Sequence, residues 1–259
     1  MKRILTFILT LTLALSFCMN SFAAATTATA SETQTGSSEA KVSSEAQTTS
    51  SKIQDGTSYG VSSLNGAPDI IAESAVIMDA NTGTVLYGKE ADTKRYPASI
   101  TKVMTALLAI ENCKMSDVIT YSNAAVNGIE AGSSTAGINV GAKLTVEDSL
   151  YALMLVSANE AAAAIAEHVS GSTTEFAKLM TKRAKELGCT NTQFKNPHGL
   201  PDEEHYTTAH DMGLILKEAM KHEEFRKISG TISYTLKKSD TLKDTLELWN
   251  HAKILRESS

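Results

Sequence analysis

The run Tyr96-Pro-Ala-Ser-Ile-Thr-Lys-Val-Met-Thr-Ala-Leu-Leu-Ala-Ile-Glu111 constrains this chain more than any other stretch. Pro97 suits the first turn of a helix, where its missing N–H has no intrahelical partner to lose. From Ala98 to Ile110 the residues are apolar nearly all round, the pattern of a helix enclosed by its neighbours. Ser99 and Lys102 break that pattern at its start. Three residues apart, they share one helix face. A hydroxyl beside an amine at the positive end of a buried helix suits nucleophilic chemistry. The local pattern also admits a plainer reading, a capping hydroxyl and a surface lysine.

The chain has 259 residues and a formal net charge of −5, which excludes the basic surface of a nucleic-acid-binding protein. Its start carries an export signal. Lys2 and Arg3 precede an uncharged run from Ile4 to Phe17, and Ser21-Phe-Ala23 offers a small-x-small cleavage site. Residues 1–23 therefore read as a secretory signal peptide. An uncleaved anchor is the alternative, but the run is short for a full span. Phe17 is too large to precede a lipoprotein cysteine at Cys18. Past the signal, Cys113 and Cys189 remain, without metal-ligand spacing. Export permits a disulfide between them; two buried thiols are the other reading.

Residues 24–66 are Ser, Thr, Glu, Gln and Ala with few large apolar side chains, and read as a disordered linker that cannot offset its ordering entropy. The domain spans 67–259. Within it, Glu73–Asp79 and Thr84–Tyr87 read as a hairpin around Ala80-Asn-Thr-Gly83. Residues 114–143 carry no clear period. Thr145-Val-Glu-Asp148 has the form of a capped helix start, for a helix to about Leu155. Ser157-Ala-Asn159 interrupts it, and an Ala-rich helix follows from Glu160 to Val169. Thr174–Leu187 is amphipathic and closed by Gly188 in the C′ position. Asn196-Pro-His-Gly199 is a loop, Thr208–Asp211 opens a helix to about Lys221, and a strand or hairpin begins near Ile232.

Short motifs alone decide little here. Ser38-Glu-Ala-Lys41 and Ser63-Leu-Asn65 repeat the Ser-x-x-Lys and Ser-x-Asn spacings in the polar tract, where they carry no chemistry. Ser99-Ile-Thr-Lys102 and Ser157-Ala-Asn159 differ by context: one starts a buried helix, the other breaks two apolar helical segments. Ser157 or Asn159 could simply cap the Ala-rich helix, or the triplet could form the second wall of a cleft facing Ser99. Longer blocks add weight: Asp79-Ala-Asn-Thr-Gly83, the whole Tyr96–Lys102 run, Asn191-Thr-Gln-Phe-Lys-Asn-Pro-His-Gly-Leu200 and His205-Tyr-Thr-Thr-Ala-His-Asp211. On these blocks the chain from about Glu73 resembles the serine D-Ala-D-Ala carboxypeptidases, the low-molecular-mass penicillin-binding proteins.

The resemblance implies an α+β fold of the β-lactamase/DD-peptidase type, an antiparallel sheet flanked by helices with a mainly helical lobe over about 112–222. It implies Ser99 as nucleophile, Lys102 as proton acceptor, Ser157 as a relay to the leaving amine, and Asn159 as a holder of Lys102 and the substrate amide. No cofactor or metal is implied. The implied partners are a peptidoglycan stem peptide ending in D-Ala-D-Ala and β-lactam antibiotics as covalent inhibitors, on the exported, cell-wall side of the membrane. An ordinary lysine with a pKa of about 10.4 is neutral in roughly one molecule in 2,500 at pH 7; a fall to about 7–8 raises that to roughly 10–50%.

One departure stands out. The family's third motif, Lys-Thr/Ser-Gly, does not occur as a counterpart in these 259 residues, which stop after a segment similar to the one preceding it, Leu248–Leu255. The chain accordingly reads as C-terminally truncated, without the last sheet strands, with little peptidase activity by itself, and without the family's C-terminal helix for membrane-surface association. A class A-type β-lactamase is a rival reading, weakened because Glu203 and Glu204 lack the context of a deacylating glutamate. A non-catalytic penicillin-binding remnant is another. His198 reads as structural, and Asp202-Glu-Glu204 as a solvated loop.

Overall fold

The structure, a computed structural model, describes residues 70–252. The expected signal peptide and linker lie outside these residues. Among the described residues there are seven α-helices and three separate two-stranded antiparallel sheets, an α+β arrangement. The single sheet flanked on both faces that the resemblance implied is thus present only as strand pairs.

The first pair joins β1 (Ala75–Met78) to β2 (Val85–Lys89), with Ala75 opposite Lys89. Its turn is built by Asp79, whose Oδ1 accepts hydrogen bonds from the Asn81 N–H (3.1 Å) and the Thr82 N–H (2.7 Å). Ile77 and Leu86 on the hairpin are about half exposed.

A 3-10 turn over Ala98–Thr101 leads into α1 (Lys102–Asn112). Met104 through Ala109 are buried, as the apolar run predicts, while Ile100 on the 3-10 turn is exposed. α1 is the central rod: it packs against α3 (Val146–Leu155), α4 (Asn159–Ser170), α5 (Thr173–Glu186), α6 (Ala209–Ala219) and α7 (Glu223–Ser229). The small side chains Ala161–Ala164 and Ala166 bury α4 on nearly all sides and let those neighbours approach. α5 turns Phe176, Ala177, Met180 and Ala184 inward, and its Arg183 makes a two-pronged ion pair with Glu111 of α1 (2.7 and 3.0 Å).

The end signals worked as local chemistry requires. The Thr145 hydroxyl accepts from the Asp148 N–H (3.0 Å) while the Asp148 carboxylate accepts from the Thr145 N–H (3.2 Å), a reciprocal capping box. The Thr208 hydroxyl caps α6 at the Asp211 N–H, 3.0 Å away.

The unassigned stretch 114–143 contains β3 (Val118–Thr120) and α2 (Asn123–Asn127), and runs into β4 (Lys143–Thr145), which pairs with β3. Elements of three and five residues are too short to display a period. α7 was also missed. Its seven residues bury only Phe225 and Ile228. The last hairpin, β5 (Ser233–Leu236) and β6 (Leu246–Trp249), docks on α3 by stacking Tyr234 on Tyr151, ring centres 3.8 Å apart. Cys113 and Cys189 are free thiols. Burial pushes the Cys189 thiol up to about 12, so its packing is that of an inert apolar group. Among the described residues no helix is long and apolar enough to cross a membrane.

Candidate active site

Ser99 and Lys102 fall on either side of a change in helix type. Pro97 stands before the 3-10 turn that carries Ser99, and α1 proper begins at Lys102. Ala98 holds φ +48°, a left-handed conformation that costs a non-glycine residue about 1–3 kcal/mol and clusters at functional sites. The outcome is an exposed Ser99 over a Lys102 that is 3% exposed.

Three acceptors surround the Lys102 Nζ: Asn159 Oδ1 at 2.7 Å, the His198 carbonyl at 2.8 Å and Ser99 Oγ at 3.4 Å. They match the three hydrogens of an ammonium. In the neutral amine, a lone pair can instead face the Ser99 hydroxyl. Burial lowers the Lys102 pKa to about 8, against an opposing pull from the Glu160 carboxylate. At pH 7 that leaves about one amine in eleven neutral, against roughly one in 2,500 for an ordinary lysine.

The loop 196–200 is turned toward α1 by its own hydrogen bonds. Asn196 Oδ1 accepts from the Gly199 N–H (2.7 Å), and its Nδ2 donates to the Leu200 carbonyl (2.9 Å). Two carbonyls then point at α1: Pro197 O takes the Thr105 hydroxyl (2.6 Å) and His198 O takes Lys102. Gly199, at φ +89°, lies directly against the Ala98 carbonyl, where a side chain would overlap it.

Beneath the loop, His205 Nδ1 accepts from the Lys195 N–H (3.1 Å), so the ring proton sits on Nε2, which donates to the Thr101 hydroxyl (2.9 Å). Burial lowers both His198 and His205 to about 4, so both rings are neutral at pH 7. The buried Asp211 carboxylate secures the segment by accepting from the Asn191 N–H (2.8 Å) and the Thr192 hydroxyl (2.7 Å). Backbone pairing of Arg95 with Thr207 joins it to the approach to Ser99.

The 157–159 corner reaches Lys102 through the Asn159 side chain. Ser157 holds φ +59°, again left-handed, and its Oγ is buried with no hydrogen-bond partner among the described residues. Ala158, not Ser157 or Asn159, occupies the N-cap of α4. The Asn159 side chain is spent on Lys102, and its N–H donates to the Ser134 carbonyl at 3.0 Å. The capping reading of this triplet is therefore corrected. Of the four residues singled out from sequence, Ser99, Lys102 and Asn159 are joined by hydrogen bonds, while Ser157 is not bonded to any of them.

Sequence reasoning missed the His198 carbonyl and Glu160. A backbone carbonyl has no signature in residue identity. Glu160 was hidden in an Ala-rich helix pattern. Away from the site, Cys113, Asp117 and His168 bring donor atoms within 4.8 Å of one another, as do Glu111, Glu218 and His222; neither group includes a residue of the Lys102 cluster. A groove lined by Tyr96, Ala98, Gly199, Pro201, Asp202 and Glu203 opens beside the Ser99 turn.

Comparison with known proteins follows the same outline. The D-alanyl-D-alanine carboxypeptidase family, Peptidase S11, matches residues 61–259. D-alanyl-D-alanine carboxypeptidase DacF of Bacillus subtilis is 44% identical over 165 residues, covering 62% of this chain and 42% of the relative. The Streptomyces K15 DD-transpeptidase structure aligns with a TM-score of 0.67 at 33% identity, over 74% of this chain and 78% of that one. Penicillin-binding protein 5 of Haemophilus influenzae aligns with a TM-score of 0.66 at 30% identity, over 74% of this chain and 56% of that one. The chain spans about four-tenths of the length of the first curated relatives it matches. From its matched residues and its fold, the chain belongs to the D-alanyl-D-alanine carboxypeptidase family of serine peptidases.

Proposed function

We propose that this chain supplies the nucleophile and base of a serine D-Ala-D-Ala carboxypeptidase, which removes the terminal D-alanine from peptidoglycan stem peptides. The observation that carries the reading is the Lys102 Nζ held 3.4 Å from Ser99 Oγ, with a pKa lowered by burial to about 8. Ser99 Oγ attacks the carbonyl between the two D-alanines, and its proton passes to the neutral Lys102 amine. The Ser99 N–H, at the start of the helical run, is one donor to the oxyanion. As the tetrahedral intermediate collapses, the C–N bond breaks and the leaving D-alanine amine takes up the proton that Lys102 accepted, which returns Lys102 to the neutral amine. Ser157 is the candidate relay for that proton: its buried hydroxyl, without a partner among the described residues, becomes usable once substrate fills the corner. Water then hydrolyses the ester on Ser99, with Lys102 again accepting a proton.

Asn159 keeps the amine aimed at Ser99, and the His198 carbonyl fixes its second hydrogen. The groove beside Ala98 and Gly199 is the surface on which a peptide could lie. The reading places the action on the cell-wall side of the membrane, with β-lactams as covalent inhibitors of Ser99.

The test is covalent labelling. A fluorescent penicillin should acylate the full-length protein on the peptide containing Ser99. Ser99→Ala should abolish the label, and Lys102→Ala should slow it by about 10²-fold or more, the usual contribution of a positioned base. Undiminished labelling of Ser99→Ala would sink the proposal.

A further inference from the structure

We propose that Glu160 is a positioning residue of the Lys102 site: one carboxylate oxygen clamps the Thr135–Ile138 segment to the start of α4, and the clamp fixes a negative charge next to the residue that holds the Lys102 amine. Glu160 is 2% exposed. Its Oε1 accepts from the Thr135 hydroxyl (2.7 Å) and from the N–H groups of Ala136 (2.8 Å), Gly137 (3.1 Å) and Ile138 (3.4 Å). The preceding residue, Asn159, binds Lys102 with its side chain and the Ser134 carbonyl with its N–H. Two adjacent residues of one helix thus hold the lysine on one side and the 134–138 segment on the other.

The second Glu160 oxygen, Oε2, is buried with no hydrogen-bond partner among the described residues. A buried carboxylate oxygen without a donor is costly, and here it leaves part of the Glu160 charge without a local hydrogen bond to offset it. What the carboxylate adds is negative charge in a dry interior, where fields reach furthest. Glu160 is the charged neighbour that acts on Lys102, opposing the effect of its burial.

The two histidines and Tyr121 nearby do not change charge in the window that matters. His198 and His205, facing from the 196–205 segment, are neutral above about pH 5. Tyr121, at the end of β3, faces Glu160, donates to the Ser149 hydroxyl (3.0 Å) and is pushed upward by burial. Asp148 on α3 acts on Tyr121. Around pH 7–9 Lys102 itself is the group that titrates.

Without Glu160, desolvation acts on Lys102 with only its hydrogen-bond acceptors to oppose it, and the ammonium loses its proton more easily. The clamp ensures that the carboxylate stays where this effect is felt. The catalytic meaning of the role rests on Lys102 being the proton acceptor, but the test reads Lys102 directly. Lysine-selective 13C labelling lets the Lys102 Cε signal be followed against pH, with the signal assigned by its loss in Lys102→Arg. Wild type should titrate near pH 8. Glu160→Gln keeps an acceptor for the 135–138 donors but removes the charge. Its midpoint should fall by about one pH unit, raising the neutral fraction at pH 7 about five-fold. A midpoint within about 0.2 unit of wild type overturns the proposal.

Should Glu160→Gln fail to fold, Glu160→Asp serves. It keeps the charge, so the Lys102 midpoint should stay near that of wild type. Its shorter reach should accelerate amide hydrogen exchange at residues 136–138 about ten-fold or more. Unchanged exchange there overturns the clamp. The two readings separate cleanly. A shifted Lys102 midpoint in a protein that penicillin does not label at Ser99 removes the acyl-transfer reading and leaves Glu160 its electrostatic role. Normal labelling with an unmoved midpoint removes the Glu160 role alone.

Discussion

Replacing Gly199 by alanine should disarm the site from a residue that contributes no side chain to it. Gly199 sits at φ +89° with its α-carbon against the Ala98 carbonyl, and an added methyl group would overlap that carbonyl while lying 3.0 Å from Thr101 Oγ1. Backbone cannot swing aside as a side-chain tip can, so the loop must lift by on the order of 1 Å. The adjoining His198 carbonyl accepts from Lys102 at 2.8 Å, and a shift of that size takes the contact beyond hydrogen-bond range.

Left-handed strain on alanine contributes about 1–2 kcal/mol. The lost charged hydrogen bond contributes about 1.5–3 kcal/mol. Together they predict a loss of about 3–5 kcal/mol, a fall in Tm of about 6–20 °C for a domain of this size. Gly171→Ala is the control. Gly171 has φ +77° but, among the described residues, nothing within 4 Å of an added methyl, so it suffers the strain without the overlap. Thermal unfolding by circular dichroism compares the two, and the Lys102 Cε titration reports whether the lysine has lost its acceptor. Equal melting temperatures for the two variants, with Lys102 titrating as in wild type, would refute the claim that this close approach holds the loop on α1.

Three further outcomes follow from the same geometry. The ordinary pKa of histidine is about 6.5, and His198 and His205 are held near 4 in the folded chain. The unfolded chain therefore binds protons first as pH falls below 6.5. Stability is full above that pH and drains away toward pH 4, by about 4 kcal/mol for the pair after discounting the partial exposure of His198. Urea unfolding from pH 7 to 4.5 measures this slope, and a His205→Gln variant with an unchanged slope would contradict it. Asp211→Ala strands the Asn191 N–H and leaves the Thr192 hydroxyl with Thr207 alone, and should cost about 1–3 kcal/mol in the same assay; a loss under about 0.5 kcal/mol would show that water replaces the carboxylate. Thr145→Ala removes the hydroxyl that accepts from the Asp148 N–H and leaves only the backbone half of the α3 capping box, and should cost about 1 kcal/mol, with no change in the Lys102 midpoint.

The 157–159 corner shows where local reading reaches its limit. Ser, Ala and Asn between two apolar helices offered a cap or a cleft wall, and both suit the same three letters. The choice was made by Lys102, 57 residues away, which takes the Asn159 side chain and leaves Ala158 at the cap. Likewise, Asn196-Pro-His-Gly199 was legible as a turn, because its own Asn196 side chain closes it. That the turn presents its His198 carbonyl to a lysine 96 residues earlier was not legible, since any residue has a carbonyl.

What the amino-acid order determined by itself was whatever spans one helical turn. The Ser99–Lys102 spacing, the Thr145–Asp148 box, the Thr208 cap and the stop at Gly188 depend on neighbours three or four residues apart. Tertiary structure alone decided the charge state of the amine. A lysine's proton affinity depends on how much water remains around it and which charges face it, and here both come from α4 and the 196–205 segment packed over α1. Desolvation belongs to the assembled interior, so no window of sequence contains it.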